Sequence, residues 1–230
     1  MLFRSYTYLL GTDDQGRDMY SAILYGLRIS LGVGVISATT AAVIGATLGL
    51  IAAYRGGRVE AAIMRLVDFQ LSFPTILIAL MILAVLGKGI GNVILALVLV
   101  EWATFARTAR GVGLVESRKE YIEASHVMGV PTWRILLQHL LPNCIPPLIV
   151  IATVQVARAI SLEATLSFLG VGVPITQPSL GLLISNGYQY MFSGMYWMSV
   201  FPGLSLLVTI VAINLVGDRL RDVLNPRKDS

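Results

Sequence analysis

The sequence predicts an all-α, polytopic helical membrane protein. Of its 230 residues, 56% are hydrophobic and only 13% are charged, where a soluble domain carries roughly 25% charged residues. The mean hydropathy of +0.76 is too high for a chain that must cover itself with polar groups in water. Its apolar residues also fall in continuous runs rather than alternating, and a continuous run can satisfy its backbone in lipid only as a helix. A secreted disulfide scaffold is excluded, since Cys144 is the sole cysteine. The net charge of +4 is better read as cytoplasmic-loop bias than as a nucleic-acid footprint.

A helical span needs about 20 mostly apolar residues, and five runs meet that need: about 29–53, 70–86, 89–105, 145–162 and 197–216. The first has no charge. The second is short and entered through Pro74. The third contains Glu101, placed near its cytoplasmic end and expected to snorkel to the interface, and the fourth contains Arg158. The 17 Lys and Arg then set the orientation. Twelve fall on one side: Arg55, Arg58 and Arg65 after the first run; Arg107, Arg110, Arg118, Lys119 and Arg134 after the third; Arg219, Arg221, Arg227 and Lys228 after the fifth. Arg4, Arg17, Arg28 and Lys88 fall on the other. The positive-inside rule places the twelve, and with them the C-terminus, in the cytoplasm. The segment 1–25 is then an outer-face N-terminal stretch, 26–217 the transmembrane domain and 218–230 a cytoplasmic tail.

Between Ala164 and Gly217 there are 54 residues without a charge. The first part holds Pro174, Pro178, Gly181 and Gly187 and does not read as a simple helix. It is an outer-face hairpin, partly re-entrant, or an interfacial loop, with Tyr188, Tyr190, Phe192, Tyr196 and Trp197 at the interface. In the first run Ser37, Ala41, Gly45, Gly49 and Ala53 place a small residue at every fourth position. Such a stripe admits a neighbouring backbone closely, within this bundle in preference to a subunit interface.

The cytoplasmic loop 107–141 carries the most informative local pattern. In Ser117–Gly129, SRKEYIEASHVMG, the residues Tyr121, Ala124, Ser125 and Met128 recur at helical spacing, Gly129 suits a C-cap, and Pro131 stops continuation. The short helix either enters a groove on another protein or lies flat on headgroups.

The loop's Glu123-Ala124-Ser125, followed by Gly129, Leu141 and Pro142, resembles the E-A-A loop of permease subunits of ATP-binding cassette importers. The ending His139-Leu140-Leu141-Pro142-Asn143 is similar to the branch that imports dipeptides, oligopeptides, nickel, opines and related solutes. Gly11–Asp18 (GTDDQGRD), Leu166–Gly170 (LSFLG) and Asn214–Asp222 (NLVGDRLRD), followed by Asn225-Pro226-Arg227, resemble the same branch. The likeness covers about Gly11 to Arg227. Ser125 replaces the second Ala of the loop motif.

The resemblance implies the transmembrane domain of a type I importer, forming half of a translocation pore. It implies a second, different permease subunit, two cytoplasmic ATPase subunits that bind ATP and Mg, and a periplasmic or lipid-tethered solute-binding protein, all at a bacterial inner membrane. Tyr121, Glu123, Ala124, Ser125 and Gly129 would couple the chain to the ATPases. The family usually has six spans where five are read here, so an upstream first span is expected.

The residues agree on what this chain does not do. No G-x-x-x-x-G-K-[ST] loop is present for ATP, and no H-E-x-x-H, C-x-x-C or G-x-S-x-G motif supports an enzyme. His126 and His139 lie off any metal-ligand spacing and read as packing residues, and no cofactor is expected in the chain. Arg158 and Glu163 are the candidates for a substrate path, where Arg158 meets a solute carboxylate or a neighbouring acid. The rival reading, a secondary transporter driven by an ion gradient, calls for several buried carboxylates or an inverted repeat, and the sequence supplies neither.

Overall fold

A computed structural model describes residues 8–224. Arg4, Asn225-Pro226-Arg227 and Lys228 lie outside the described residues. The described chain is helical: α1 (Met19–Arg55), α2 (Gly57–Leu71), α3 (Thr75–Leu86), α4 (Ile90–Glu116), α5 (Glu120–Val127), α6 (Thr132–Arg134), α7 (Leu141–Phe168), α8 (Leu180–Gln189) and α9 (Trp197–Leu224). Helices α1, α4 and α9 and the stretch Thr132–Phe168 are long and apolar enough to cross a membrane, and the broken pair α2–α3 makes a fifth such element. The break falls at Pro74, the residue through which the second apolar run is entered.

The helices outrun the apolar stretches that announce them. The first begins ten residues earlier than the run at 29, and the third continues eleven residues past Phe105 to Glu116. The second extension overturns the snorkelling assigned to Glu101. With about four further turns beyond it, this residue sits inside the helix, and its side chain is buried. Two elements were hidden by composition. In α2 the charges Arg58, Glu60, Arg65 and Asp68 disguise an amphipathic helix as a loop. In α8 two glycines sit inside a helix, because a Cβ at Gly181 would strike the Ala164 backbone and one at Gly187 the Met198 backbone.

The chain divides into two compact units. The first comprises the described residues up to Ser37, with Ile76–Leu97 and Val156–Asn214. Its core joins Met19 and Ile23 of α1 to Leu180 and Leu183 of α8 and Met198 of α9. The N-terminal GTDDQGRD stretch folds here as a tight loop closed by an isolated antiparallel bridge, Thr12 to Asp18. Asp13 accepts the backbone N–H groups of Gln15 and Arg17 at 2.9 and 2.8 Å and the Arg17 Nε at 2.6 Å. Asp18 caps α1 by accepting from Ser21 Oγ at 2.6 Å and Ser21 N at 3.0 Å. Those donors, the hydroxyl first, hold its carboxyl below the ordinary aspartate range.

The second unit comprises Ala38–Thr75, Val98–Gln155 and the described residues from Leu215. Ala41, Val67, Trp102, Ala103, Phe105 and Ala106 form one part of its core. The small-residue stripe of α1 is internal packing. All five of its members are buried, and a Cβ at Gly45 would run into the Trp102 carbonyl and Phe105, one at Gly49 into the Ala106 carbonyl. Helix α2 is fastened to α4 by ion pairs of Asp68 with Arg107 and Glu60 with Arg110. The Trp102 indole also donates to Gln70 Oε1 at 2.8 Å.

Candidate functional site: the segment between α4 and α7

Helix α5 is positioned from three sides within the second unit. Its C-terminus is a Schellman closure: Gly129 takes φ +71°, its N–H donates to His126 O at 3.0 Å, and the Val130 N–H donates to Ser125 O at 3.1 Å. This left-handed position is what the sequence needs a glycine for. Pro131, extended at φ −64° and ψ 142°, then opens α6. Glu120 and Glu123 occupy the first turn, where the helix dipole favours acids.

The second support is polar. Tyr121 Oη donates to Glu116 Oε1 at 2.7 Å and accepts from Asn143 Nδ2 at 3.1 Å, while Lys119 Nζ lies 2.8 Å from Glu116 Oε2. Asn143 also donates to the His139 carbonyl at 2.7 Å. Burial first, and the Glu116 carboxylate second, push the Tyr121 phenol up to about 12, so it stays a neutral donor. The third support is aromatic: His126 stacks on Tyr54 of α1, centroids 5.5 Å apart and 17° between planes.

These supports decide which face of α5 points where. Ile122 and Ser125 are buried, with Ser125 Oγ donating to the Tyr121 carbonyl at 2.8 Å. Glu123, Ala124, Val127 and Met128 are exposed, Val127 at 89%. The face expected from periodicity therefore splits. Tyr121, Ala124 and Met128 lie at the surface, whereas Ser125 faces this chain's own core. A small residue is needed there because of that packing, so Ser for Ala is accommodated internally.

Residues 135–140 form a π-helical turn leading into α7. Three prolines follow, Pro142, Pro146 and Pro147, each removing an N–H from the ladder, and the widened turn lies directly ahead of the first. No periodicity argument reveals it. The signal was the proline in H-x-L-P-N.

Of the two substrate-path candidates, Arg158 is exposed on α7. Glu163 is fully buried in the first unit, so it lines no open path there. Its two oxygens accept from Ser30 Oγ and Ser167 Oγ, each at 2.7 Å. Ser30 Oγ in turn receives the Leu180 N–H at 3.3 Å, and Ser167 Oγ receives the Val173 N–H at 3.3 Å. The carboxylate thus joins α1, the LSFLG end of α7 and the start of α8. It is a structural tie that a reading by hydropathy cannot separate from a solute ligand.

Residues 45–230 match the family described as binding-protein-dependent transport system inner membrane components. A dipeptide transport system permease protein of Alkalihalophilus pseudofirmus is 40% identical over 220 residues, covering 96% of this chain and 72% of that protein. A di/tripeptide transport system permease protein of Pseudomonas aeruginosa is 39% identical with the same coverage. A glutathione transport system permease protein of Pectobacterium atrosepticum is 38% identical over 226 residues, 98% of this chain and 75% of that protein. Among solved structures, the inward-facing MetNI methionine ABC transporter aligns with a TM-score of 0.73 at 22% identity, over 90% of this chain and 98% of the matched chain. That likeness is one of fold.

The chain belongs to the family of inner membrane components of binding-protein-dependent transport systems, the permeases of ATP-binding cassette importers. It is a transport permease and not an enzyme.

Proposed function

We propose that this permease forms half of the pore of an importer for peptides or similar small solutes, and that α5 is the element through which separate ATPase subunits drive it. The solute class follows the names of the relatives, and the single observation that carries the coupling role is the geometry of α5. A helix of eight residues is held by a glycine closure, a polar cluster and a stacked ring pair, yet turns Glu123, Ala124, Val127 and Met128 outward. Rigid support on one side and an open outer face, apolar at Ala124, Val127 and Met128 with Glu123 beside them, are what a lever requires.

In this reading Tyr121, Glu123 and Ala124 meet the ATPase, Ser125 and Gly129 fix the helix from within, and ATP and Mg are bound by the partner subunits. A second, different permease completes the pore. Arg158 remains the residue placed toward the solute, and a solute-binding protein delivers the cargo. The chain sits in the inner membrane with its C-terminus and α5 in the cytoplasm, as the twelve-to-four distribution of Lys and Arg supports.

Substituting Ala124 with Trp tests the coupling. In the assembled complex transport should be lost, while the isolated ATPases keep their activity; normal transport by an intact Ala124→Trp complex would refute the role. Topology is tested by single cysteines in a Cys144→Ser background. Gln177→Cys, on an exposed loop position, should react with an impermeant thiol reagent from outside, and Gly57→Cys should not.

A further inference from the structure

An apolar groove of about 440 Å³ runs along the second unit between the latter half of α1 and the stretch from Trp133 to Ala152. Its volume falls within the roughly 300–1,000 Å³ of small-molecule sites. Ala42, Ala46, Leu50, Leu137, Ile145 and Leu148 are among its walls. Thr47, which also lines it, donates its hydroxyl to the Val43 carbonyl at 2.7 Å, so it offers the groove no free donor. On α1 the lining extends from Thr39 to Ile51. At 1.5 Å per residue that is about 18 Å, against about 15 Å for one leaflet of a bilayer with a core of about 30 Å.

One end of this groove is chemically different. Trp133 lines it, and the Arg134 guanidinium lies over the Trp133 ring, 5.3 Å from its centroid. Arg134 is exposed and, among the described residues, is paired with no carboxylate. An indole beside a guanidinium at the end of an apolar channel is the arrangement of a membrane interface, with the cation at headgroup level.

We propose that the groove holds one acyl chain of an anionic phospholipid, with the headgroup phosphate on Arg134. The apolar walls take the chain, the length matches one leaflet, and the Arg134 cation at the Trp133 end selects the charge. A zwitterionic lipid would fit the walls equally but gain less from the guanidinium.

The test uses the complete transporter reconstituted in phosphatidylcholine bilayers containing phosphatidylglycerol, with brominated acyl chains on one lipid or the other. Fluorescence quenching assigned to Trp133 is the difference between the wild type and Trp133→Phe. Brominated phosphatidylglycerol should compete for this site about five-fold better than brominated phosphatidylcholine, equivalent to about 1 kcal/mol for one basic residue near an anionic leaflet. Arg134→Gln, an exposed substitution outside the α5 supports, should bring the two lipids level, and Arg134→Lys should keep the preference. Equal quenching in the wild type, or a preference that survives Arg134→Gln, would overturn the proposal. Absence of quenching by either lipid would also overturn it, because a protein segment would then cover the groove.

Discussion

Two carboxylates of this chain sit in hydrogen-bonded clusters of similar make-up, and their settings differ. Glu163 is enclosed in the first unit and accepts from two serine hydroxyls that in turn receive backbone N–H groups. Glu116, in the second unit, accepts a tyrosine hydroxyl and pairs with Lys119, whose side chain is 54% exposed. Around Glu163 every partner is a short side chain on a long helix, so the cluster fixes helices to one another. Around Glu116 the partners are Tyr121 of an eight-residue helix whose far side is open and Lys119 at the N-cap of that helix. The same chemistry closes one region and presents a surface in the other.

The largest effect is expected from removing Glu163. Glu163→Ala leaves the buried hydroxyls of Ser30 and Ser167 without their acceptor, and should cost about 2 kcal/mol. It should appear as a lowered midpoint in thermal unfolding of the purified complex, and Glu163→Gln, which retains an acceptor oxygen, should recover much of the loss. A Glu163→Ala protein as stable as the wild type would mean that the cluster holds nothing. Gly129→Ala tests the α5 closure. A side chain in the left-handed conformation costs about 1–2 kcal/mol, and the Schellman closure should open, which hydrogen exchange at the amides of positions 129 and 130 would register.

Tyr121→Phe should be milder, about 1 kcal/mol for the loss of the partly exposed bonds to Glu116 and Asn143. Its effect should fall on solute moved per ATP hydrolysed more than on stability. A further effect concerns pH. The Tyr121 phenol titrates near 12 in the folded chain against 10.0 for a free tyrosine. The folded state therefore holds its proton more tightly. That stabilisation is complete below about pH 10 and is lost as the pH rises toward 12. The difference between wild type and Tyr121→Phe should shrink over this window, and a difference constant through it would contradict the raised phenol pKa, whose first cause is burial and second the Glu116 carboxylate.

Much of this arrangement was legible in the residues, and the failures have physical causes. Five apolar runs announce five helical elements because lipid leaves the backbone no other way to pair, and GxxxG announces close packing of α1 within the chain because only small residues allow that approach, although only the structure names α4 as the neighbour. Helix α2 was not legible, since Glu60 and Asp68 are there to pair with Arg110 and Arg107 and its hydropathy therefore reads as a loop. Helix α8 was missed because glycines that normally break helices serve close packing here. Glu101 was misplaced because an apolar run marks where lipid ends, whereas the helix continues to Glu116. At α5, periodicity located the helix, but it could not tell the face held by this chain from the face left open. Both are small or apolar, and only the positions of Glu116, Asn143 and Tyr54 separate them.

That division of α5 is the central claim, and site-specific crosslinking in the assembled transporter tests it most directly. In a Cys144→Ser background, Val127→Cys on the open face should crosslink to an ATPase subunit through a short thiol reagent, in a manner sensitive to nucleotide, while Ser125→Cys should not. Crosslinking to the ATPase from position 125 but not from 127, or reaction of Val127→Cys with a lipid-borne reagent in its place, would contradict the account.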